Sequence, residues 1–208
     1  VYSDEGYHFY YRPRLLEVVS GKCSPEEALA YPARWYSEKG IDVHLSTAVT
    51  GLDTQIRQVV LQDGERVHYD KLLLAIGGDA LLPPIAGLGR PGSFVLRSMS
   101  DAIAINQYAA RSASAAVVGG GLLGLEAAVA LRALGLKVTV IEMFPRLLPK
   151  QLDQQGSSIL RKIIEKEGID LALGASIRSL LGDQAVAGVR TLDGRSIEGE
   201  LVLFSTGT

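Results

Sequence analysis

Residues 62–78, QDGERVHYDKLLLAIGG, and residues 192–208, LDGRSIEGELVLFSTGT, align without a gap at a constant offset of 130 positions. Asp63 meets Asp193, Gly64 meets Gly194, Val67 meets Ile197, Asp70 meets Glu200 and Gly77 meets Gly207. Solenoid repeats recur every ~20–50 residues, so an offset this long marks a duplicated domain. Each copy reads as an Asp-Gly hairpin between alternating runs, followed by an apolar strand that ends in glycine. The chain therefore has to hold two related α/β units.

The stretch between the copies shows what kind of unit this is. Ala115 to Val118 is a short apolar run, Gly119-Gly120-Gly121-Leu122-Leu123-Gly124 fits G-x-G-x-x-G, and an Ala- and Leu-rich helix runs to Gly135. Val138, Val140 and Ile141 form a second strand that Glu142 closes. In such a unit Gly119 permits the tight turn, Gly121 lets backbone approach a pyrophosphate at the helix N-terminus, and Gly124 lets helix pack on strand. Leu122 and Leu123 complete the cofactor-binding turn, and Glu142 is expected to accept hydrogen bonds from a ribose diol. An acid at that position repels a 2′-phosphate, which favours NADH over NADPH; Arg146, close behind, pulls the other way.

Composition excludes several classes. The chain is 47% hydrophobic, enough to bury a core, and its formal net charge of −2 gives no reason to expect nucleic acid as a partner. No apolar run approaches the ~18 residues of a membrane span, and no charged-then-apolar leader is seen. One cysteine, Cys23, excludes an internal disulfide and suits a cytoplasmic location. His8, His44 and His68 have no metal-ligand spacing, so no metal site is expected.

Read in order, VYSDE resembles the end of a strand already under way, with Asp4 and Glu5 where Glu142 stands in the later unit. By the repeat, the first copy's own glycine motif would lie about 20 residues before Asp4, so the chain is expected to be an internal fragment. An aromatic loop follows at Tyr7 to Tyr11, then a helix start at Ser24-Pro25 and a helical turn from Arg34 to Lys39. Ile41–Val49 and the runs about Asp63-Gly64 read as strands, and Leu72–Ile76 as a strand buried on both faces. The Pro/Gly-rich residues 80–92 form a connector; a short strand at Phe94 and a helix from about Ser100 lead into the glycine unit. Asp153 caps a helix with apolar positions Ile159, Leu160, Ile163 and Ile164, and four strands follow. The expected fold is α/β: two Rossmann-like dinucleotide-binding domains, each a parallel sheet with helices plus a small antiparallel β-meander. The first, 1–97, is incomplete; the second is 98–208.

With these motifs assembled, the sequence resembles the pyridine nucleotide-disulfide oxidoreductase superfamily of FAD-dependent enzymes. The resemblance rests on the acidic strand end with Tyr10-x-Arg12-Pro13, then YDKLLLAIGG, VLRSMSDA, GGGLLGLE and ELVLFSTG. Within that superfamily it is most similar to the flavoprotein module of NADH-dependent nitrite reductases and to their rubredoxin reductase and small NADH oxidase relatives. The resemblance implies that hydride passes from NADH to FAD and that electrons go on to an acceptor. Asp4 or Glu5 would bind the FAD ribose, Arg12 and Arg97 its phosphates or neighbouring groups, and Val49 backbone its adenine. Gly77 and Gly207 would lie near flavin and nicotinamide, and Glu126 would line the nicotinamide site as the candidate catalytic residue. Implied partners are NADH and an electron-acceptor protein or domain, with a homodimer left open. Three departures stand out: Ile76 replaces the usual Thr of an A-T-G motif, Glu17 stands where some relatives carry a Lys near the flavin, and Cys23 has no redox partner. Two other readings stay open, a flavin-thiol NADH oxidase or coenzyme A disulfide reductase working through Cys23, and an NAD-binding fragment without activity of its own.

Overall fold

The computed structural model describes residues 1–207. In chain order the helices are α1 (Leu15–Val19), α2 (Ala33–Glu38), α3 (Met99–Ala109), α4 (Leu122–Ala133) and α5 (Gln154–Lys166). The strands are β1 (Val49–Asp53), β2 (Gln58–Leu61), β3 (Arg66–His68), β4 (Ser93–Val95), β5 (Ser114–Val118), β6 (Lys137–Glu142), β7 (Ile169–Leu173), β8 (Ile177–Leu181), β9 (Gly188–Thr191), β10 (Ser196–Glu198) and β11 (Leu201–Phe204). They fall into two units, Val1–Arg12 with Pro25–Gly78, and Pro13–Ser24 with Asp79–Thr208.

The first unit is built on the antiparallel meander β1-β2-β3. Val59 and Leu61 point inward from β2 and are buried, while Gly64, at φ +89°, turns the β2–β3 hairpin. α2 carries Trp35, whose ring stacks on Tyr31 at 4.2 Å. Three expectations change here. The helix expected from Ser24 is only a turn, because Ala30 N–H donates to Phe9 O and Leu29 bridges Tyr10, so chain pairing takes over after one turn. Between Ile41 and Ala48 the chain is irregular apart from a bridge of His44 to Tyr2, and the ladder starts at Val49.

The third change is the largest. Leu72–Ile76 belongs to no strand, and Leu73 and Ile76 are 87% and 88% exposed. A strand buried on both faces needs parallel neighbours, and among the described residues of this unit none is present. The twin segment in the second unit, β11, has such neighbours in β4 and β5 and is buried along its whole length.

The second unit carries a five-stranded parallel sheet in the order β4-β11-β5-β6-β7 and an antiparallel meander β10-β9-β8. β4 is thus an edge strand of this sheet although it precedes residue 98. The β5 run Ala115–Val118 is apolar on both faces, as a central parallel strand requires. One face packs on the meander through Ala116, Val118, Ile141, Leu180, Val189 and Phe204. The buried side of α4, Leu125, Ala128 and Leu131, is small enough to lie close to β5 and β6. α1 packs on α3 and α4, and Asn106 Nδ2 ties α3 to it by donating to Val19 O at 2.9 Å.

Helix ends follow their chemistry. Ser98 and Asp101 make a reciprocal capping box on α3, and Asp153 Oδ1 accepts Gly156 N–H at 2.7 Å to start α5. Gly135 and Gly168, at φ +93° and +76°, follow α4 and α5. Of the apolar positions expected inside α5, Ile164 is buried, but Ile159 and Ile163 are 55% and 51% exposed.

The two meanders match ladder for ladder. Val59 faces Val67 in one and Val189 faces Ile197 in the other, and both carry a bulge, between Val49 and Gly51 and between Ile177 and Ser179. Their last hairpins differ in detail: the Arg195 guanidinium and the Thr191 hydroxyl hold the Asp193 carboxyl well below the ordinary carboxylate range.

Candidate nucleotide site

The glycine turn lies where β5 ends and α4 begins, at the C-terminal edge of the parallel sheet. β5 sits between β11, which follows it last in the chain, and β6, which follows it next, so the strand order reverses there. Each glycine of the motif answers a different constraint. Gly119 has φ +116°, and a Cβ on it would lie 2.2 Å from Ser205 O. A Cβ on Gly124 would lie 2.0 Å from Gly119 O, so helix and turn touch there without side chains. Gly121 differs: its φ of −76° suits any residue, and a Cβ would meet no atom within 4 Å. Its glycine therefore answers no contact within the chain, which is what close approach of a ligand would require. No side chain caps α4 at Gly121, leaving the N–H groups of its first turn, at Leu122 and Leu123, unbonded by a cap. Leu122 and Leu123 are themselves 63% and 46% exposed.

Glu142 closes β6 and is only 7% exposed. Its two carboxylate oxygens accept the Gly120 N–H at 2.7 Å and the Phe144 N–H at 2.8 Å. A carboxylate offers about four acceptor sites, so about two remain for a ribose diol. The middle glycine also proves necessary: a Cβ on Gly120 would lie 2.9 Å from Glu142 Cβ and 3.0 Å from Leu147 Cδ2. Gly120 and Leu147 were not legible as site residues, because their contact arises only when the turn and the loop after β6 fold against each other. Arg146 donates through Nη1 to Leu152 O and through Nη2 to Pro149 O, at 3.0 Å for the latter.

The other expected residues of this unit stand on several of its elements. Gly207, at φ +104°, follows β11, and its carbonyl accepts the Leu81 N–H at 2.9 Å. Glu126 is exposed on α4, one turn beyond the glycines. Arg97 is half-buried just before the α3 cap and donates its own N–H to Asp101 Oδ2 at 3.0 Å. Cys23 is 6% exposed; its Sγ donates to Ser24 O and accepts from Arg14 Nη2 at 3.1 Å. Glu17 pairs with Arg14 at 3.2 Å.

In the first unit, Glu5, Tyr10 and Arg12 form a cluster: the Glu5 carboxylate accepts from the Tyr10 hydroxyl and from Arg12 Nη2, the latter at 3.1 Å. Asp4 is exposed beside it, Val49 opens β1 at 45% exposure, and Gly77 has φ +66°. Ile76 is a further exposed residue of this unit. Among the described residues no cluster of three or more His, Cys, Asp or Glu side chains could hold a metal ion, and no helix is long and apolar enough to cross a membrane.

A parallel sheet whose strand–turn–helix crossing carries three glycines and whose next strand ends in a buried acid is the framework of FAD- and NAD(H)-binding oxidoreductases. This chain belongs to the pyridine nucleotide-disulphide oxidoreductase family, whose profile matches residues 1–208. It is 35% identical to the large subunit of an NAD(P)H nitrite reductase from Klebsiella oxytoca, over 100% of this chain and 22% of that protein. It is 32% identical to a rubredoxin-NAD(+) reductase of Pseudomonas putida, over 95% of this chain and 52% of that one. The crystal structure of a ferredoxin reductase from Rhodopseudomonas palustris superposes with a TM-score of 0.91 at 25% identity, covering 99% of this chain and 51% of that one. The chain therefore spans from about a fifth to about half of the length of these relatives.

Proposed function

We propose that this chain is the nucleotide-binding part of an NADH-dependent FAD flavoprotein oxidoreductase that passes electrons to an acceptor protein or domain. The observation that carries the reading is Gly121: a glycine with ordinary backbone geometry and no chain contact, at an uncapped helix N-terminus beside a buried acid. In this reading residues 98–208 hold NADH. The α4 N–H groups at Gly121, Leu122 and Leu123 bind the pyrophosphate, and the remaining lone pairs of Glu142 take the ribose diol. Gly207 and Glu126 lie toward the nicotinamide, where Glu126 orients the ring. A 2′-phosphate would meet the Glu142 charge, so NADH is preferred over NADPH.

Residues 1–97 contribute to the FAD site through Asp4 or Glu5, Arg12, Val49, Gly77 and Arg97. The Glu5–Arg12 pair supports this, since it keeps an acid for a ribose and a guanidinium for a phosphate side by side. When bound, nicotinamide and flavin supply the hydride chemistry, and the protein orients them and excludes water. The buried Cys23 has no part in it. The relatives named as ferredoxin or rubredoxin reductases support a small redox protein as acceptor, and one cysteine in the chain suits a cytoplasmic setting.

Two measurements test the reading. Calorimetric titration should show NADH binding more tightly than NADPH, with Glu142→Ala weakening NADH and narrowing that preference; equal affinities in both proteins would remove Glu142 from the site. An anaerobic visible spectrum of the purified chain reconstituted with FAD should show a flavin band that bleaches with NADH. A flavin band that persists with NADH bound would overturn the reductase reading, and failure to retain flavin would leave an NAD-binding fragment.

A further inference from the structure

The loop after β6 carries two cations, Arg146 and the exposed Lys150, and of these Arg146 stands nearer in sequence to Glu142 and has its hydrogen bonds inside the loop. Arg146 spends both terminal nitrogens on carbonyls of its own loop, Nη1 on Leu152 and Nη2 on Pro149. The same loop is drawn inward at Leu148, a non-glycine residue at φ +47°, whose carbonyl accepts the N–H groups of Gln151 and Leu152 at 3.0 and 2.9 Å. Next to Arg146, Leu147 is fully buried, with Cδ2 close against Gly120. Its carbonyl is fixed from the other side by the hydroxyl of buried Ser157 at 2.9 Å.

Resting on the NADH reading above, we infer that Arg146 is a positioning residue of the nucleotide site. It locks the loop that seats Leu147 against the glycine turn, and it is no receptor for a 2′-phosphate. Of the five guanidinium donors, the two given to Leu152 O and Pro149 O fix the plane and direction of the group, so Arg146 is oriented by its own loop. Re-aiming that plane at a phosphate would release Pro149 and Leu152 and slacken the loop that carries Leu147. On this inference Arg146 serves both nucleotides alike and takes no part in the selectivity between them.

The test compares Arg146→Gln, Arg146→Lys and Leu147→Val in the 208-residue chain. Amide exchange by NMR is followed without nucleotide at Gly119 and Gly120, whose N–H groups are bonded to Ile141 O and to Glu142. Calorimetry then gives Kd for NADH and for NADPH. All three variants should speed exchange at Gly120 about threefold to tenfold, the scale of losing one ordinary hydrogen bond from the support. Both Kd values should rise by the same factor, and Lys should not rescue, because one ammonium lacks the planar fork. Selective loss of NADPH binding in Arg146→Gln, restored in Arg146→Lys, would overturn the inference, as would unchanged exchange in all three. If the arginine variants do not fold, unchanged exchange at Gly120 in Leu147→Val would still overturn the inference, because the brace acts through Leu147. If the unaltered chain binds neither nucleotide, the NADH reading falls while the exchange data still decide whether Arg146 braces the turn.

Discussion

At the scale of single residues, the three motif glycines separate into two kinds that a substitution can tell apart. Gly124→Ala drives a Cβ to 2.0 Å from backbone, at Gly119 O, where nothing flexible can give way. Overpacking of that sort costs about 1–3 kcal/mol or more, so this variant should melt well below the parent. Gly121→Ala meets nothing and keeps an allowed φ of −76°, so its melting temperature should stay close to the parent's, within about 1 kcal/mol of N-cap preference. Its NADH affinity should nonetheless fall at least about tenfold, some 1.4 kcal/mol. Thermal melts with calorimetric titration check both, and a Gly121→Ala variant that binds NADH as before would mean that no ligand approaches there. Glu142 belongs with the first kind as much as the second. Its carboxylate holds the buried Gly120 N–H, so removing it strands a donor in addition to removing a ribose partner.

Among the elements, α3 shows how directly local chemistry sets a boundary. Ser98 accepts from Asp101 N–H at 3.2 Å and Asp101 Oδ2 accepts the Ser98 N–H at 2.8 Å, so Ser98→Ala should cost about 1 kcal/mol in urea unfolding. Such features can be read from a sequence, as Asp153 and Gly135 were, because their partners lie within a few positions along the chain; the start of α3 was expected near Ser100, two residues after its cap. The loop after β6 could not be read so. Its role depends on Leu147 reaching Gly120, 27 positions earlier, and on Ser157 reaching back to Leu147. Ser24-Pro25 has good helix-start chemistry, yet pairing of Tyr10 with Leu29 outweighs it, an ordinary case of tertiary contact overriding local preference. The aromatic segment from Tyr7 to Tyr11 was expected to pack as a loop; only Tyr10 is buried, while Phe9 and Tyr11 stay 59% and 50% exposed.

For the whole molecule, the duplication is itself an internal control. Leu73 and Leu203 occupy the same place in the two copies, but one is 87% exposed and the other 1%. Leu203→Ala should cost about 2–5 kcal/mol of stability, whereas Leu73→Ala should change it by less than about 0.5 kcal/mol. Chemical denaturation of the two variants checks this, and equal losses would mean that Leu73 is buried in solution. Pattern alone could not separate the twins, since an apolar run declares what it needs and not whether neighbours supply it. The same exposure has a colloidal consequence. An apolar run outside any ladder with its leucines outward is a site for sheet growth between molecules. Leu72 to Ile76 are therefore expected to promote association of this 208-residue chain at high concentration, and a net charge of −2 offers little repulsion against it.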